Sequence, residues 1–473
     1  MAKLYIFGIG GTGSRVIRSL TMLLAAGVDM GNFQTVIPVI IDPDKDNGDL
    51  TRTVELLKLY KSIHDGLSLG GNMQSSFFRA DITTTSDVNY RLKIANVSDK
   101  SFGDFIDYYG LNNDKPNQAL INLLFSEKNL NSDMQVGFKG NPNMGSVVLN
   151  DFRGDDSISS LMSNFQEEDR IFIISSIFGG TGAAGFPLLV KTFREAHSFN
   201  FANPATIEQS IIGAISVLPY FGVKLDENSE INMETFITKT KSALTYYMKN
   251  IDVNSLYYIC DKLLTQYDNN EGDKDQKNMA HFVEVVSSLA IVDFVHSDDP
   301  QNEYKEFGVK EDADPLYMSH LSDATQSLLV KPMINFYLFA KYYKNHLKDT
   351  FNKAWAKDLG FSKETLNEDF YKKLTQFTDL FLDSWLQELY DNKRSFQPFN
   401  LSSSSLYESI NGFTPQKPGF FDKITGKNLQ GYDAIDSEVA AASEKIKNLA
   451  KNDSFIEIHW RAISNIIKTK FNI

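Results

Sequence analysis

The length, charge and cysteine content of this sequence exclude several classes of protein. Its 473 residues are enough for about two or three domains with their own cores. The formal net charge of -13 argues against broad binding to nucleic acids or anionic membranes. The single cysteine, Cys260, cannot form an intrachain disulfide, and the first residues do not resemble a secretory signal. We therefore expect a cytoplasmic protein without a transmembrane segment.

Two glycine-rich turns carry the strongest functional signal. Each follows a strand-like run, Lys3–Phe7 or Arg170–Ser175, and each precedes a predicted helix, Ser14–Ala26 or Phe186–Ala196. Such a turn offers backbone N–H groups and the positive end of a helix dipole to an anion. The pair predicts a site that holds one polyphosphate from two sides. The candidate phosphate-binding residues are Gly8, Gly10, Gly11, Thr12, Gly13, Ser14, Gly179, Gly180, Thr181 and Gly182.

Two structural alternatives exist for these residues. The glycines could serve only the close packing of a helix on a strand. The hydroxyls of Thr12, Ser14 and Thr181 could cap helices instead of contacting phosphate, as Ser and Thr often do.

Alternating strands and helices predict the fold class. A strand at Thr35–Ile41 completes a βαβ opening, and further strands are predicted at Ile211–Leu218 and Ser255–Cys260. This alternation predicts an α/β protein with a mostly parallel, Rossmann-like sheet and helices on both faces. The uncharged run Ile171–Val190 is as long as a membrane span, but its four glycines and Pro187 favour a buried strand, turn and helix.

The first turn, taken alone, also fits a dinucleotide site. Gly8-x-Gly10-x-x-Gly13 matches that fingerprint, and Asp42 ends the next strand, where an acid that binds ribose is expected. This pattern would predict an NAD- or FAD-dependent oxidoreductase. A dinucleotide domain has no need for a second strand, glycine turn and helix, so we keep this function as an alternative.

The ordered set of motifs resembles the tubulin/FtsZ superfamily of GTPases. Phe178-Gly179-Gly180-Thr181-Gly182-Ala183-Ala184-Gly185 is similar to the signature G-G-G-T-G-[ST]-G, with Phe178, Ala183 and Ala184 as departures. The likeness spans roughly Lys3–Val295. The likeness to divergent bacterial tubulin-like proteins is greater than the likeness to the bacterial division protein of this superfamily. It implies GTP or GDP with Mg²⁺ as ligands.

The resemblance also implies roles for residues outside the glycine turns. Asp42 would approach the phosphates and Mg²⁺, and the loop Gly137–Gly145 would close over the terminal phosphate. A turn at Pro219 would reach the sugar. The strand end near Asp261 and the start of a long central helix, Met279–Val295, would lie beside the guanine. The residues added to the predicted site are therefore Asp42, Gly140, Asn141, Asn143, Pro219, Asp261 and Asn278.

Each of these residues has a simpler alternative role. Asp42 fits an Asx turn, and Asn141 and Asn143 could satisfy the turn they lie in. Asp261 could be an ordinary acid at a strand end. Asn278 could be the N-cap of the central helix. Separately, the position that aligns with the family's base-contacting Asn could be Ala280, which precedes His281.

The resemblance in the first part of the chain and the helical periodicity and composition of the rest predict domain boundaries, although a mainly helical second part departs from the family, whose second domain carries a small sheet. We expect a nucleotide-binding domain at 1–275 with an elaboration at about 45–135, and a central helix at 276–296. A helical second domain would follow at 297–395. The stretch 396–473 would hold an exposed loop or linker and two C-terminal helices.

The functional hypothesis is a GTP-binding protein that self-associates with nucleotide at the subunit interface. Slow GTP hydrolysis is also implied, but His296-Ser297-Asp298-Asp299-Pro300 does not match the family's acidic pattern N-x-D-x-x-D, so catalytic residues stay unassigned. Asp312, Asp314 and Asp323 are other acids nearby. The alternative is a GTP-sensing scaffold that does not polymerise and contacts a protein partner through its helical region.

Overall fold

A parallel β-sheet organises the chain, which we describe from a computed structural model. The structure describes residues 2–44, 47–69, 73–86, 88–92, 100–134, 138, 141–150, 156–223, 233–267, 277–297, 305–416 and 431–473. The main sheet contains β1 (Lys3–Ile9), β2 (Thr35–Ile41), β3 (Asp81–Ile82), β4 (Arg91–Leu92), β5 (Arg170–Ser176), β6 (Ile211–Val217) and β8 (Ser255–Ile259). A separate parallel pair contains β7 (Phe221–Val223) and β9 (Thr265–Tyr267).

The strand order creates a crevice beside β1. The order is β3-β2-β1-β5-β6-β8, with β4 also paired to β2, and all these pairings are parallel. The chain leaves β1 toward β2 and leaves β5 toward β6, which is the opposite direction along the sheet. In sheets of this kind ligands bind at the carboxyl ends of the two strands where the order reverses. Both glycine turns follow those two strands.

Helices cover both faces of the sheet and form the C-terminal half. The first half contains α1 (Gly10–Ala26), α2 (Gly48–His64), α3 (Phe102–Phe105), α4 (Lys115–Leu124), α5 (Glu127–Leu130), α6 (Pro142–Leu149), α7 (Asp156–Leu161), α8 (Gly180–Arg194), α9 (Pro204–Glu208), α10 (Met233–Asn250) and α11 (Phe282–His296). The helical region contains α12 (Asp323–Asn345), α13 (Ala354–Asp358), α14 (Asp369–Asp379), a π-helical turn (Leu380–Trp385), α15 (Leu386–Asp391), α16 (Gly431–Ser443) and α17 (Lys451–Phe471).

The predicted fold class is confirmed. Strands β1, β2, β5 and β6 are buried along nearly all of their length, whereas β8 is only partly buried. Helix α11 is buried along nearly all of its length between the sheet, α1 and the helical region. The run Ile171–Val190 forms most of β5, the turn and most of α8. Within the described ranges, the search for a helix with the length and apolar character of a bilayer span finds none.

Several local expectations were wrong. Helices α1 and α8 begin at Gly10 and Gly180, so the glycine turns themselves form their first turns. The central helix begins at Phe282 and not at Met279. The stretch 396–416 was expected to be exposed, but Phe396 and Phe399 are fully buried there, and Phe399 stacks on Tyr337 at 3.7 Å between ring centroids. Its aromatic residues complete the core of the helical region.

Candidate phosphate-binding site

The two glycine turns face each other across the crevice. Gly10 has a φ of +71°, a conformation that favours glycine. A Cβ atom built on Gly10 would lie 3.6 Å from Thr181 Cβ and 3.9 Å from Gly182 N. The two elements that the sequence marks as phosphate cradles therefore meet at one place.

Neither helix at this crevice has a side chain that caps its N-terminus. The N-cap residues are Ile9 for α1 and Gly179 for α8, and neither type carries a side-chain acceptor. Ser14 Oγ donates to the Gly10 carbonyl oxygen at 3.2 Å and so bonds within α1. The alternative that Thr12, Ser14 and Thr181 are N-caps is therefore wrong. The N-cap side chains therefore do not bond to the first N–H groups of either helix, and N–H groups at such a position favour an anion.

The glycines divide into packing positions and open positions. A Cβ atom on Gly13 would lie 2.4 Å from the carbonyl carbon of Gly8, so these two glycines let α1 pack on β1. A Cβ atom on Gly182 would lie 2.8 Å from the carbonyl oxygen of Ser176, which indicates the same role on β5. On Gly11 the nearest atom would be a side-chain nitrogen 3.4 Å away. The packing alternative thus holds for Gly8, Gly13 and Gly182.

A third predicted segment lies beside the second turn. Asn141 is the N-cap of α6, and its Oδ1 accepts from the backbone N–H of Asn143 at 3.2 Å. A Cβ atom on Gly145 would lie 3.0 Å from the Gly180 carbonyl oxygen, so the start of α6 packs against the start of α8. The expectation of a loop is wrong from Pro142 onward, where α6 begins. Asn143 is exposed, and Gly140 lies outside the described residues.

Asp42 is a buried carboxylate at the carboxyl end of β2. Its Oδ1 accepts from the backbone N–H of Asp44 at 3.1 Å, which is the Asx turn expected as the alternative. Burial, with a smaller contribution from the charge of Asp44, raises the pKa of Asp42 to about 7, although that backbone hydrogen bond and Arg91 oppose the shift. The described surroundings thus leave the carboxylate poorly compensated. A hard cation that prefers oxygen ligands, such as Mg²⁺, fits this donor.

Arg15, which was not among the predicted site residues, joins four segments of the predicted site. Its Nε donates to Glu284 Oε1 at 2.7 Å, its Nη1 to Asp49 Oδ2 at 2.8 Å and its Nη2 to the Tyr220 hydroxyl at 2.9 Å. All four side chains are buried. The guanidinium group therefore ties α1 to α2, to the turn after β6 and to α11. It is also the side chain nearest to the Cβ position of Gly11.

One signal for this hub was present in the sequence. Glu284 lies in the apolar run that forms α11, and charged side chains are almost never fully buried unless they are paired. A buried cation partner could have been predicted on that ground. Its identity could not, because Arg15 is 269 residues away in the chain.

The base side of the predicted site is held by backbone contacts. Asn278 N donates to Asp49 Oδ1 at 3.2 Å, and its carbonyl oxygen accepts from Arg52. The N-cap of α11 is His281, whose Nδ1 accepts from the N–H of Val283 at 3.1 Å. The alternative that Asn278 is the N-cap is therefore wrong.

The remaining predicted residues lie at the edge of this region. Pro219 is half-buried and leads directly into the buried Tyr220. Asp261 forms an ion pair with Arg394 of the helical region at 2.9 Å, so it is more than an ordinary acid at a strand end.

The acids after the central helix have ordinary partners where the structure describes them. Asp312 contacts Lys262, which together with Arg394 lowers the pKa of Asp312, and it remains half exposed. Asp323 is exposed in the first turn of α12 and pairs with Lys310. Asp298 and Asp299 lie outside the described residues. No catalytic acid can be assigned among the described residues of this stretch.

Comparisons with known proteins give structural matches only. No protein-family model matches the sequence, and no curated protein matches it. CetZ from Methanosaeta thermophila matches at 14% identity over 65% of this chain and 57% of its own, with a TM-score of 0.33. CetZ2 from Haloferax volcanii, a GTPγS-bound protofilament, matches at 10% identity over 62% and 58%, with a TM-score of 0.30. TubZ from Bacillus thuringiensis, a GTPγS-form protofilament, matches at 13% identity over 70% and 61%, with a TM-score of 0.25.

With TM-scores of 0.33 or less, these matches assign neither a family nor a function to this chain. The chain covers less than two thirds of the length of each of these structures. Assignment of a site therefore rests on the residues of this chain.

Proposed function

We propose that this chain binds GTP, with its phosphates between the two glycine turns and Mg²⁺ beside Asp42. The observation that supports this most directly is the approach of Gly10 to Thr181 and Gly182 where the strand order reverses. Two helix N-termini without side-chain caps meet there. Their N–H groups and dipoles favour a multiply charged anion.

Other residues would bind the rest of the nucleotide. The Pro219–Tyr220 turn would approach the sugar, and the segment that begins at Asn278 would lie near the base. Bound Mg²⁺ would neutralise phosphate charge, and Asp42 would hold it. Thr12, Thr181 and the N-terminus of α6 would orient the phosphates.

We expect Gly10→Ala to weaken nucleotide binding at least tenfold. The added methyl group would fill the space between the turns and cover Gly182 N. Gly360 provides a matched control, because its φ is +68° and a Cβ atom there meets nothing within 4 Å. Both substitutions cost about 1–2 kcal/mol of backbone strain, but only the first should change affinity. Isothermal titration calorimetry with GTP, GDP and NAD measures this difference.

Nucleotide extracted from the purified protein tests the ligand itself. Guanine nucleotide in near-stoichiometric amount is the expected result. NAD or FAD would instead support the oxidoreductase that the first turn and Asp42 allow. Equal affinity of Gly10→Ala and Gly360→Ala for GTP would contradict the proposed position of the phosphates.

We further propose that the chain self-associates with nucleotide at the subunit interface and hydrolyses GTP slowly. Electron microscopy with and without GTP should show nucleotide-dependent assemblies, and phosphate release should rise with protein concentration. A protein that binds GTP tightly but stays monomeric would support the scaffold alternative, with a protein partner at the helical region.

A further inference from the structure

A carboxylate of the helical region reaches into the predicted nucleotide site. Glu388 of α15 accepts from Arg18 Nη1 at 2.6 Å and from Arg18 Nη2 at 2.9 Å, a two-point contact. Arg52 Nη1 lies 3.3 Å from both Glu388 oxygens. The backbone N–H of Ala280 donates to Glu388 Oε2 at 2.8 Å. We call Glu388, Arg18, Arg52 and Ala280 the Glu388 clamp.

The clamp is continuous with Arg15 at the first glycine turn. Asp49 accepts from Arg15 at 2.8 Å through one oxygen and from Arg52 at 2.6 Å through the other. Glu388 is in turn shared between Arg52 and Arg18. Asp49 is fully buried, and the side chains of Arg15, Arg52 and Glu388 are at most 18% exposed. Charges that are shielded from water in this way interact strongly, because the effective dielectric constant is low.

The helical region holds Ala280 from both sides of its backbone. While Glu388 accepts from its N–H, Asn392 Nδ2 donates to its carbonyl oxygen at 3.0 Å. Asn392 Oδ1 also accepts from Thr265 at 2.6 Å. Ala280 directly precedes His281, the N-cap of α11. The helical region therefore fixes the backbone of the segment proposed to lie near the base.

We propose that Glu388 is a positioning residue through which the helical region sets the affinity of the nucleotide site. This inference rests on the proposed function. The single negative charge of Glu388 is shared between Arg18 and Arg52, and that of Asp49 is shared between Arg52 and Arg15. Without the charge of Glu388, Asp49 is the carboxylate that Arg52 retains among its described ion pairs, and Arg52 draws it from Arg15. The backbone N–H of Ala280 loses a charged acceptor as well. Nucleotide must then order these segments as it binds, which lowers affinity.

Coupling of this kind is reciprocal. If the helical region favours nucleotide binding, nucleotide must stabilise the contacts of the helical region by the same factor. Bound nucleotide should therefore slow amide hydrogen exchange in residues 380–391, although the proposed phosphate position lies in other elements.

The test compares Glu388→Gln with Asp383→Asn. Asp383 lies one and a half turns earlier on the same segment, is exposed, and contacts Lys344 rather than the nucleotide site. Affinities for GTP and for tripolyphosphate are measured by calorimetry, and hydrogen exchange is followed by mass spectrometry. We expect Glu388→Gln to raise the Kd for GTP about tenfold and to abolish ligand-dependent protection of residues 380–391. Asp383→Asn should match the native protein in both measurements.

A second variant guards against loss of folding. Asn392→Ala removes no charge and releases the Ala280 carbonyl and Thr265, so it should weaken GTP binding in the same direction. Native affinity and native protection in folded Glu388→Gln or in folded Asn392→Ala would overturn the inference. Binding of tripolyphosphate but not GTP by the native protein would contradict the proposed function and leave the inference to be judged with tripolyphosphate. Absence of binding to both would overturn the two together.

Discussion

Glu284→Leu is expected to lower the free energy of unfolding by about 3 kcal/mol. The substitution removes the partner of Arg15 Nε and leaves a buried guanidinium group with less negative charge around it. Burial raises the pKa of Glu284 and Arg15 opposes that shift, so the pair is retained against a cost of desolvation. Chemical denaturation followed by circular dichroism at pH 7 measures the loss.

The double variant Arg15→Met, Glu284→Leu separates stability from binding. Apolar replacement of both members of a buried ion pair is often neutral or stabilising, so the double variant should recover most of the loss. Asp49 keeps Arg52 as its partner in that variant. We nevertheless expect the double variant to bind nucleotide more weakly than the native protein. Without Arg15, the first glycine turn is no longer connected to α2 and α11. Strict additivity of the two single substitutions in stability would contradict a direct interaction between the side chains.

The elements that depend on local pattern were predictable from the sequence. Strand β2 has the predicted bounds, Thr35–Ile41, because a charge-free run rich in β-branched residues ends at Asp42-Pro43-Asp44. The place of both glycine turns was also predictable, since each follows such a run. Parallel strands bring their carboxyl ends to one edge, so the meeting of the turns follows from the topology.

The helix starts were not predictable from propensity. Glycine disfavours helices, which placed the predicted starts at Ser14 and Phe186. In the structure α1 and α8 begin at Gly10 and Gly180, because close contacts such as that of Gly13 with Gly8 hold these turns against the sheet. Tertiary packing therefore overrides local preference at the very residues proposed to bind phosphate.

The pairing of the buried charges could not be predicted from the sequence, for another reason. Arg15, Asp49, Glu284 and Glu388 come from four distant parts of the chain, and no spacing relates them. Periodicity predicts which face of a helix is buried, but not which buried charges pair. The resemblance to a known family did not help, because its motifs cover the turns and not this network.

Asp42→Asn is expected to stabilise the ligand-free protein at pH 8 but not at pH 5. The pKa of Asp42 is about 7 in the folded protein, against 3.8 as the ordinary value. The folded state therefore binds more protons than the unfolded state between these values, and stability falls as pH rises through that window. At about 1.4 kcal/mol per pKa unit, the native protein loses about 2–3 kcal/mol between pH 5 and pH 8, and the neutral amide avoids this loss.

Asp104→Asn is the control, because the pKa of Asp104 is shifted in the opposite direction from that of Asp42. Hydrogen bonds from the Ser101 side chain and backbone lower the pKa of the exposed Asp104, so its contribution is fully present throughout pH 5–8. Its substitution should therefore change stability by a constant amount over that range. Denaturant unfolding of both variants and the native protein at pH 5 and pH 8 measures these differences. If Asp42→Asn raised the free energy of unfolding by the same amount at pH 5 and pH 8, the raised pKa of the buried Asp42 carboxylate would be contradicted.

The same variant also tests the proposed role of Asp42 in binding Mg²⁺. A divalent cation beside Asp42 favours the carboxylate, so saturating Mg²⁺ and GTP should cancel the loss of native stability at high pH. Asp42→Asn removes the anionic ligand, and the dependence of GTP affinity on Mg²⁺ should fall with it. Gain of stability at pH 8 together with loss of Mg²⁺-dependent binding would mean that the chain keeps a costly buried acid for its ligand. Gain of stability with unchanged Mg²⁺ dependence would place the metal elsewhere.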